Sequence, residues 1–377
     1  MNPDSVAFMT SSAISQPVNN LQLPSQGGGQ FVVKQAVQFR GGDVLIGFSG
    51  SAWSAGKDQL ISLELWLDSE PVPSGLLQMT SSANSTHVSL GHVWAYVPKV
   101  SAGTHTLAVM AGEQTITDQN DTVCITVWEL GDNLAVHYNE SVPCPSGQGQ
   151  TLAKTAFQTR GQTPVMVSAS TSGWATNVGI IGATVTLDGD TNAAGSLEMF
   201  MNNPSQHLPA VPTDVVFAPP NRGQHGLTVV SEPSTWTNDG DTVHVNVIEW
   251  VDPAKGPTIV QMSPPLQNTP TANQHGDGGS IASARFSSSG GTLLIRANLS
   301  AWSPSANVPV TAGIQIDGTS KGFLQLFTNW KGTHQPMVSN DLVVTGIPAG
   351  QHTLNLMGEL NTYTDSNDRV SVTILEF

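Results

Sequence analysis

The chain has 377 residues, of which 13 are Lys or Arg and 28 are Asp or Glu, giving a formal net charge of −15 at pH 7. That balance excludes two partners that need clustered basic side chains, a nucleic-acid backbone and an anionic membrane surface. Only 11% of residues are charged while Gly (37) and Pro (24) are abundant, the profile of strands joined by neutral turns.

Met1 to Gln30 reads as a polar arm rich in Ser, Asn, Gln and Pro, ending in Gly27-Gly28-Gly29. It has neither the basic start nor the apolar core of a secretory leader, and no apolar run anywhere approaches the roughly 18 residues that span a bilayer. After the arm the chain repeats itself three times. Ser51-Ala52-Trp53 returns as Ser172-Gly173-Trp174 and Ser300-Ala301-Trp302. Gly103-Thr104-His105-Thr106-Leu107 returns as Gly223-Gln224-His225-Gly226-Leu227 and Gly350-Gln351-His352-Thr353-Leu354. Each copy closes on a third mark: Trp128-Glu129-Leu130, Ile248-Glu249-Trp250 and Leu375-Glu376-Phe377. A period of 120 to 127 residues is that of a domain and far longer than a solenoid repeat. The expected units are 31–130, 151–250 and 280–377, with 131–150 and the Pro/Gly-rich 251–279 as extended spacers.

Inside each unit apolar residues alternate with polar ones, the half-buried strand signal. Val123, Ile125 and Val127 alternate with Cys124 and Thr126; Val243, Val245 and Val247 with His244 and Asn246; Val370, Val372 and Ile374 with Ser371 and Thr373. Earlier strands end at Asp68, Asp188 and Asp317, the last two followed by Gly, a hairpin pair. The expectation is an all-β chain of three tandem antiparallel β-sandwich domains. The two cysteines, Cys124 and Cys144, have no counterparts in the other copies; two free thiols are favoured over a disulfide.

The strand that ends in Asp-Gly, the Pro348-Ala349-Gly350-Gln351-His352-Thr353-Leu354 turn and the closing strand resemble the tumour-necrosis-factor and complement-head type of jelly roll, whose relatives occur in phage and bacterial surface proteins. The resemblance spans all three copies, and it implies jelly-roll domains arranged as a single-chain pseudo-trimer, since such domains assemble in threes. Linkage within one chain would raise the effective concentration of each domain for its neighbours.

Four sets of residues recur as site candidates. Folding the last two strands as a hairpin sets His105 opposite Glu129, His225 opposite Glu249 and His352 opposite Glu376, a structural pair or a buried pH switch. A second histidine, His87, His207 and His334, lies 18 residues before the first and could share a Zn or Ni ion if the three converge. The loop before the last strand carries Asp118 and Asp121, Asp239 and Asp241, Asp365 and Asp368; it reads first as a turn and second as a Ca²⁺ loop. Trp53, Trp174 and Trp302 precede polar loops and could offer stacking faces to a sugar. Enzyme signatures such as a nucleophile elbow, phosphate loop or zinc-protease helix do not occur. The expected function is therefore a non-catalytic multivalent binding protein of a virion or cell surface, with a glycan as ligand. The alternatives are a structural fibre, shell or decoration component that assembles through the arm 1–30, and a metal-dependent enzyme using the repeated histidines. No cofactor is firmly implied, Ca²⁺ being a candidate only, and the expected location is extracellular or on a virion.

Overall fold

The computed structural model describes residues 29–130, 134–161, 163–218, 220–250, 257–276 and 278–377; the expected polar arm lies almost wholly outside them. The described chain is all strand, in three units of one topology. The outer sheet of the first runs Gln30–Phe39, Gly103–Ala111, Gln59–Leu67, Glu70–Ser81. That of the second runs Thr151–Thr159, Gly223–Ser231, Gly179–Leu187, Asp190–Met201. The third repeats the order with Ser280–Ser288, Gly350–Gly358, Val308–Ile316 and Thr319–Thr328. Opposite each lies an inner sheet, in the first unit Val88–Val100, Gly42–Ala52, Val123–Leu130, all antiparallel. These sandwiches of alternating strands are jelly rolls.

The spacers are not plain spacers. Leu134–Pro143 forms a full strand along Thr242–Trp250, so the second inner sheet, five strands in all, takes one member from the connector. Thr258–Ile259 and Thr269–Pro270 do the same, in two fragments, along Arg369–Glu376. The chain between those fragments includes Pro264 and Pro265, which lack the N–H that a continuous ladder needs. Composition alone hid this because Leu134–Pro143 is only half-buried and rich in polar side chains.

Hydrophobic burial follows the strand period on one face. Val44, Ile46 and Phe48 face their own sandwich, as do Val165 and Val167, and Leu293 and Ile295. The opposite face of the same strands is buried too, against the neighbouring units, and the inner strand Val165–Gly173 is buried along its whole length. At the matched positions Leu45, Met166 and Leu294, with their ladder partners Trp128, Ile248 and Leu375, all three units meet in one cluster that also takes in Trp94, Leu130 and Trp250. Trp128 contacts Phe377 edge-on at 5.3 Å between centroids. Three tryptophans without repeat counterparts thus work as packing between units.

Two residues further along, the same face turns polar without becoming exposed. Arg296 of the third unit is 4% exposed; its Nη1 donates to Asp214 Oδ1 of the second at 2.5 Å and to Ser168 Oγ at 2.8 Å. Asp341 completes the belt, its Oδ1 3.4 Å from Arg296 Nε and its Oδ2 bonded to His92 Nε2 of the first unit at 2.7 Å. The guanidinium lies 4.8 Å from the Trp94 ring centroid. Burial pushes the Asp341 carboxyl up, but His92 and Arg296 outweigh it and hold it below the usual range. His244 is fully neutral here. Burial pulls it down to about 3, and its Nε2 accepts the Trp94 N–H at 3.0 Å.

Removing one partner from such a network strands buried charge. Arg296→Met is expected to destabilise the protein by about 3–5 kcal/mol, read as a lower urea midpoint. Converting Asp214 and Asp341 to Asn in the same background should recover part of that loss.

Candidate functional site

The recurrent polar residues fall into two sets of clusters. The first is a knot of Ser, Asp and His repeated in each unit. Asp121 Oδ1 accepts from Ser51 Oγ at 2.8 Å and from His87 Nδ1 at 2.9 Å, and Oδ2 accepts the Asp118 N–H at 2.9 Å. Asp241 holds Ser172 (2.9 Å), His207 (2.8 Å) and the Asn238 N–H (3.1 Å) in the same way. Asp368 holds Ser300 (3.0 Å), His334 (2.9 Å) and the Asp365 N–H (3.0 Å). The serine is the first residue of the Ser-x-Trp mark, so the strand that carries it, the loop and the histidine segment are fastened at one carboxylate. Asp241 and Asp368 are 0% exposed. Burial pulls His87 down, but its bond to Asp121 and the charges of Asp121 and Asp118 outweigh this and hold it above the usual value.

Each knot sits on a seam. The His87 N–H donates to Asn329 Oδ1 of the third unit at 2.8 Å, and its ring meets Phe327 at 5.2 Å. The His334 N–H donates to Asn202 Oδ1 of the second at 3.1 Å, with the ring against Phe200 at 5.1 Å. The His207 N–H donates to Ser82 Oγ of the first at 3.1 Å. The three histidines therefore occupy three separate seams instead of converging on one ion.

As cation sites the knots are thin. His87, Asp118 and Asp121 lie close enough to share an ion, as do His334, Asp365 and Asp368. Yet the inner carboxylate already receives three hydrogen-bond donors, and the far imidazole nitrogen lies 3.6 and 3.7 Å from Asp118 and Asp365. Three protein ligands are the lower end for a zinc site and short of a calcium site. Asn238 takes the place of Asp118 in the second unit, and Asp239 points to solvent outside the knot.

The tryptophans belong to these knots. Trp53, Trp174 and Trp302 are half-buried, not free platforms, with the knot histidine 5.9 to 6.0 Å from each ring. Trp174 also stacks on Trp236 at 5.5 Å and Trp302 leans on Tyr363 at 5.0 Å. Each indole N–H is buried and without a partner among the described residues.

The second set corrects the expected His–Glu pairing. His105, His225 and His352 bond through Nδ1 to Asp68, Asp188 (2.6 Å) and Asp317 (2.6 Å), the aspartates of the hairpin turn. Their Nε2 atoms bond to the carbonyls of Ser101, Asn221 and Pro348. Glu129, Glu249 and Glu376 instead receive the N–H of Arg40, Arg160 and Ser289 and so fasten the turn after the first outer strand. Glu249 also takes His137 Nε2 at 2.9 Å. The hairpin assumption failed because the histidine strand lies in the outer sheet and the glutamate strand in the inner one. The aspartates stood at the strand ends in the sequence, and their recurrence with the histidines was the available signal.

The bond to aspartate is the main reason His105 and His352 titrate above the ordinary value; for His225 the same bond overcomes a burial penalty. Asp68 is held down chiefly by the Thr106 N–H and Asp317 chiefly by His352; at Asp188, bonds from His225 and the Gly226 N–H outweigh burial. Cys124 and Cys144 are unpaired and buried, each thiol pushed up to about 12 by burial.

No family model matches the chain, and no curated protein does. Among solved structures it is similar to PNGF-II, at 9% identity and a TM-score of 0.29 over 89% of this chain and 99% of that one. It is also similar to the triple jelly-roll protein of an archaeal virus turret, at 12% identity and a TM-score of 0.22 over 99% and 90%. A tandem CBM22 fragment of Xyn10C from Paenibacillus barcinonensis aligns at 10% and 0.19 over 66% and 94%.

A pH titration of stability tests the second set. With folded histidines raised above about 6.5, their pairs contribute fully below that pH and are lost as pH rises through the raised value. With folded aspartates lowered, the acid limit lies below the ordinary carboxylate range. The wild type should lose melting temperature as pH rises above about 6.5. The triple variant Asp68→Asn, Asp188→Asn, Asp317→Asn should lose measurably less over that range. Equal slopes would show that these pairs do not set the pH dependence.

Proposed function

We propose that this protein is a non-catalytic structural component of a virion or cell surface, a single-chain pseudo-trimer whose partners are other proteins. The observation that carries this reading is where the repeated polar groups are used. Ser51, Asp121 and His87, with their counterparts, bond to one another and to the next unit. Repetition in triplicate is then accounted for by joining three units, without a ligand. Burial of Arg296, Asp214 and Asp341 where the units meet supports a body that functions intact and not as beads on a string.

A second reading, glycan binding, draws on one feature. Each repeated Trp keeps a partly exposed face beside a loop, and next to Trp174 that loop carries the 59% exposed Val178. Amphipathic rings in such settings stack on sugars.

Sedimentation and electron microscopy of the full chain and of a 29–377 truncation test the first reading. The full chain should form larger assemblies, and the truncation should stay a folded single particle with an unchanged melting temperature. A full chain that remains monomeric at all concentrations, together with glycan-array hits abolished by Trp53→Ala, Trp174→Ala and Trp302→Ala, would transfer the function to the loops. Hits lost in chelator would point to the acidic loops.

A further inference from the structure

The three seams are closed differently, and one is left open. In the first seam Asn139, on the strand Leu134–Pro143, reaches across to the edge of Val88–Val100. Its Oδ1 accepts the Tyr96 N–H at 3.0 Å and its Nδ2 donates to the Trp94 carbonyl. One primary carboxamide thus satisfies two backbone groups of a sheet edge. In the seam between third and first units the carbonyl matched to that of Trp94 belongs to Asp341, and it accepts Thr126 Oγ1 at 2.8 Å.

Strand register identifies the corresponding groups in the seam between second and third units. Leu45 faces Tyr96 as Met166 faces Val216, and Gly47 faces Trp94 as Ser168 faces Asp214. The Val216 N–H and Asp214 carbonyl are therefore the outward donor and acceptor of the strand Thr213–Phe217, and neither has a cross-seam partner among the described residues. A cavity of about 450 Å³ lies against this edge, lined by Ser196, Val216, Phe217, Met262, Pro265 and Thr373 among others. Its far wall needs nothing further: the Val372 N–H donates to the Leu266 carbonyl, Gln267 Nε2 to the Val372 carbonyl, and the Val260 N–H to the Ile374 carbonyl. Val216 is 39% exposed, so the cavity is open to solvent.

We infer that this cleft is a docking site for an extended peptide segment bearing an Asn side chain, its carboxamide set against the edge of Thr213–Phe217 as that of Asn139 is set against the matching edge. The carboxamide is selected by geometry. Its N–H and C=O can point the same way and so meet one acceptor and one donor on a strand edge, as Asn139 does. The trans secondary amide of an N-acetyl sugar points the two groups in opposite directions and cannot bridge both. Addition at a sheet edge with apolar side chains filling the adjoining pocket is an established mode of peptide capture. The inference goes beyond the assembly reading and does not depend on it.

The test is fluorescence anisotropy of the full-length protein with a labelled ten-residue peptide of the sequence Leu134–Pro143. Saturable binding is expected to weaken at least about tenfold when the peptide's Asn is replaced by Asp, which removes the donor. It should weaken similarly for Val216→Pro, which removes the protein's N–H at an edge where proline is tolerated. Val216→Ala should bind as wild type. If Val216→Pro fails to fold, Ala194→Trp, at an exposed position on the cleft lining, replaces it and should block binding. No saturable binding to the wild type would overturn the inference. So would equal affinity for the Asp peptide or for a folded cleft variant, or displacement of the peptide by N-acetylglucosamine.

Discussion

One guanidinium holds a place that the rest of the molecule has to be built around. Arg296 lies where the three inner sheets meet, and it is compensated by carboxylates from two different strands, Asp214 of the second unit and Asp341 of its own. A buried cation in a protein interior is tolerated only with such partners. The units are thereby fixed relative to one another by charge geometry as well as by the apolar cluster beside it. The belt also breaks the repeat: positions matched to Arg296 are Gly47 and Ser168, and those matched to Asp341 are Trp94 and Asp214. Three copies of one residue could not form it, since three like charges would repel. Divergence among the copies is what lets the centre close.

Around that centre the repeated residues do a simpler job. Each Ser–Asp–His knot fastens two strands and a loop, and the histidine's own N–H then reaches into the next unit. Each turn histidine fastens a hairpin at the periphery, and each closing glutamate fastens the turn after the first outer strand. Sequence similarity at a 120-residue spacing therefore marks the joints of the fold. Sites that are not repeated, such as the open seam beside Val216, are where the copies have been free to differ.

The alternation of apolar and polar residues, the period and the Asp-Gly turns made the all-β class and the strands legible, because both depend on neighbours close in sequence. The same pattern misled at the second face. Thr126, Asn246 and Thr373 alternate with valines and isoleucines, as solvent-facing residues do, yet are at most 4% exposed. Polarity in a strand says that a side chain can be hydrated; it does not say whether water or another sheet is there.

Pairing was the other thing the chain withheld. His105 and Glu129 are in phase on their strands, but a sandwich sends those strands to opposite sheets, so the histidine finds Asp68, 37 residues upstream, instead. The sequence by itself determined the all-β class, the strands and the residue types that recur, since these rest on local backbone preference and burial of one face. Only the tertiary structure decided which histidine meets which aspartate, that Arg296 is buried, and that the connector Leu134–Pro143 is a strand, because each depends on which strands and units are brought together and not on neighbours in the chain.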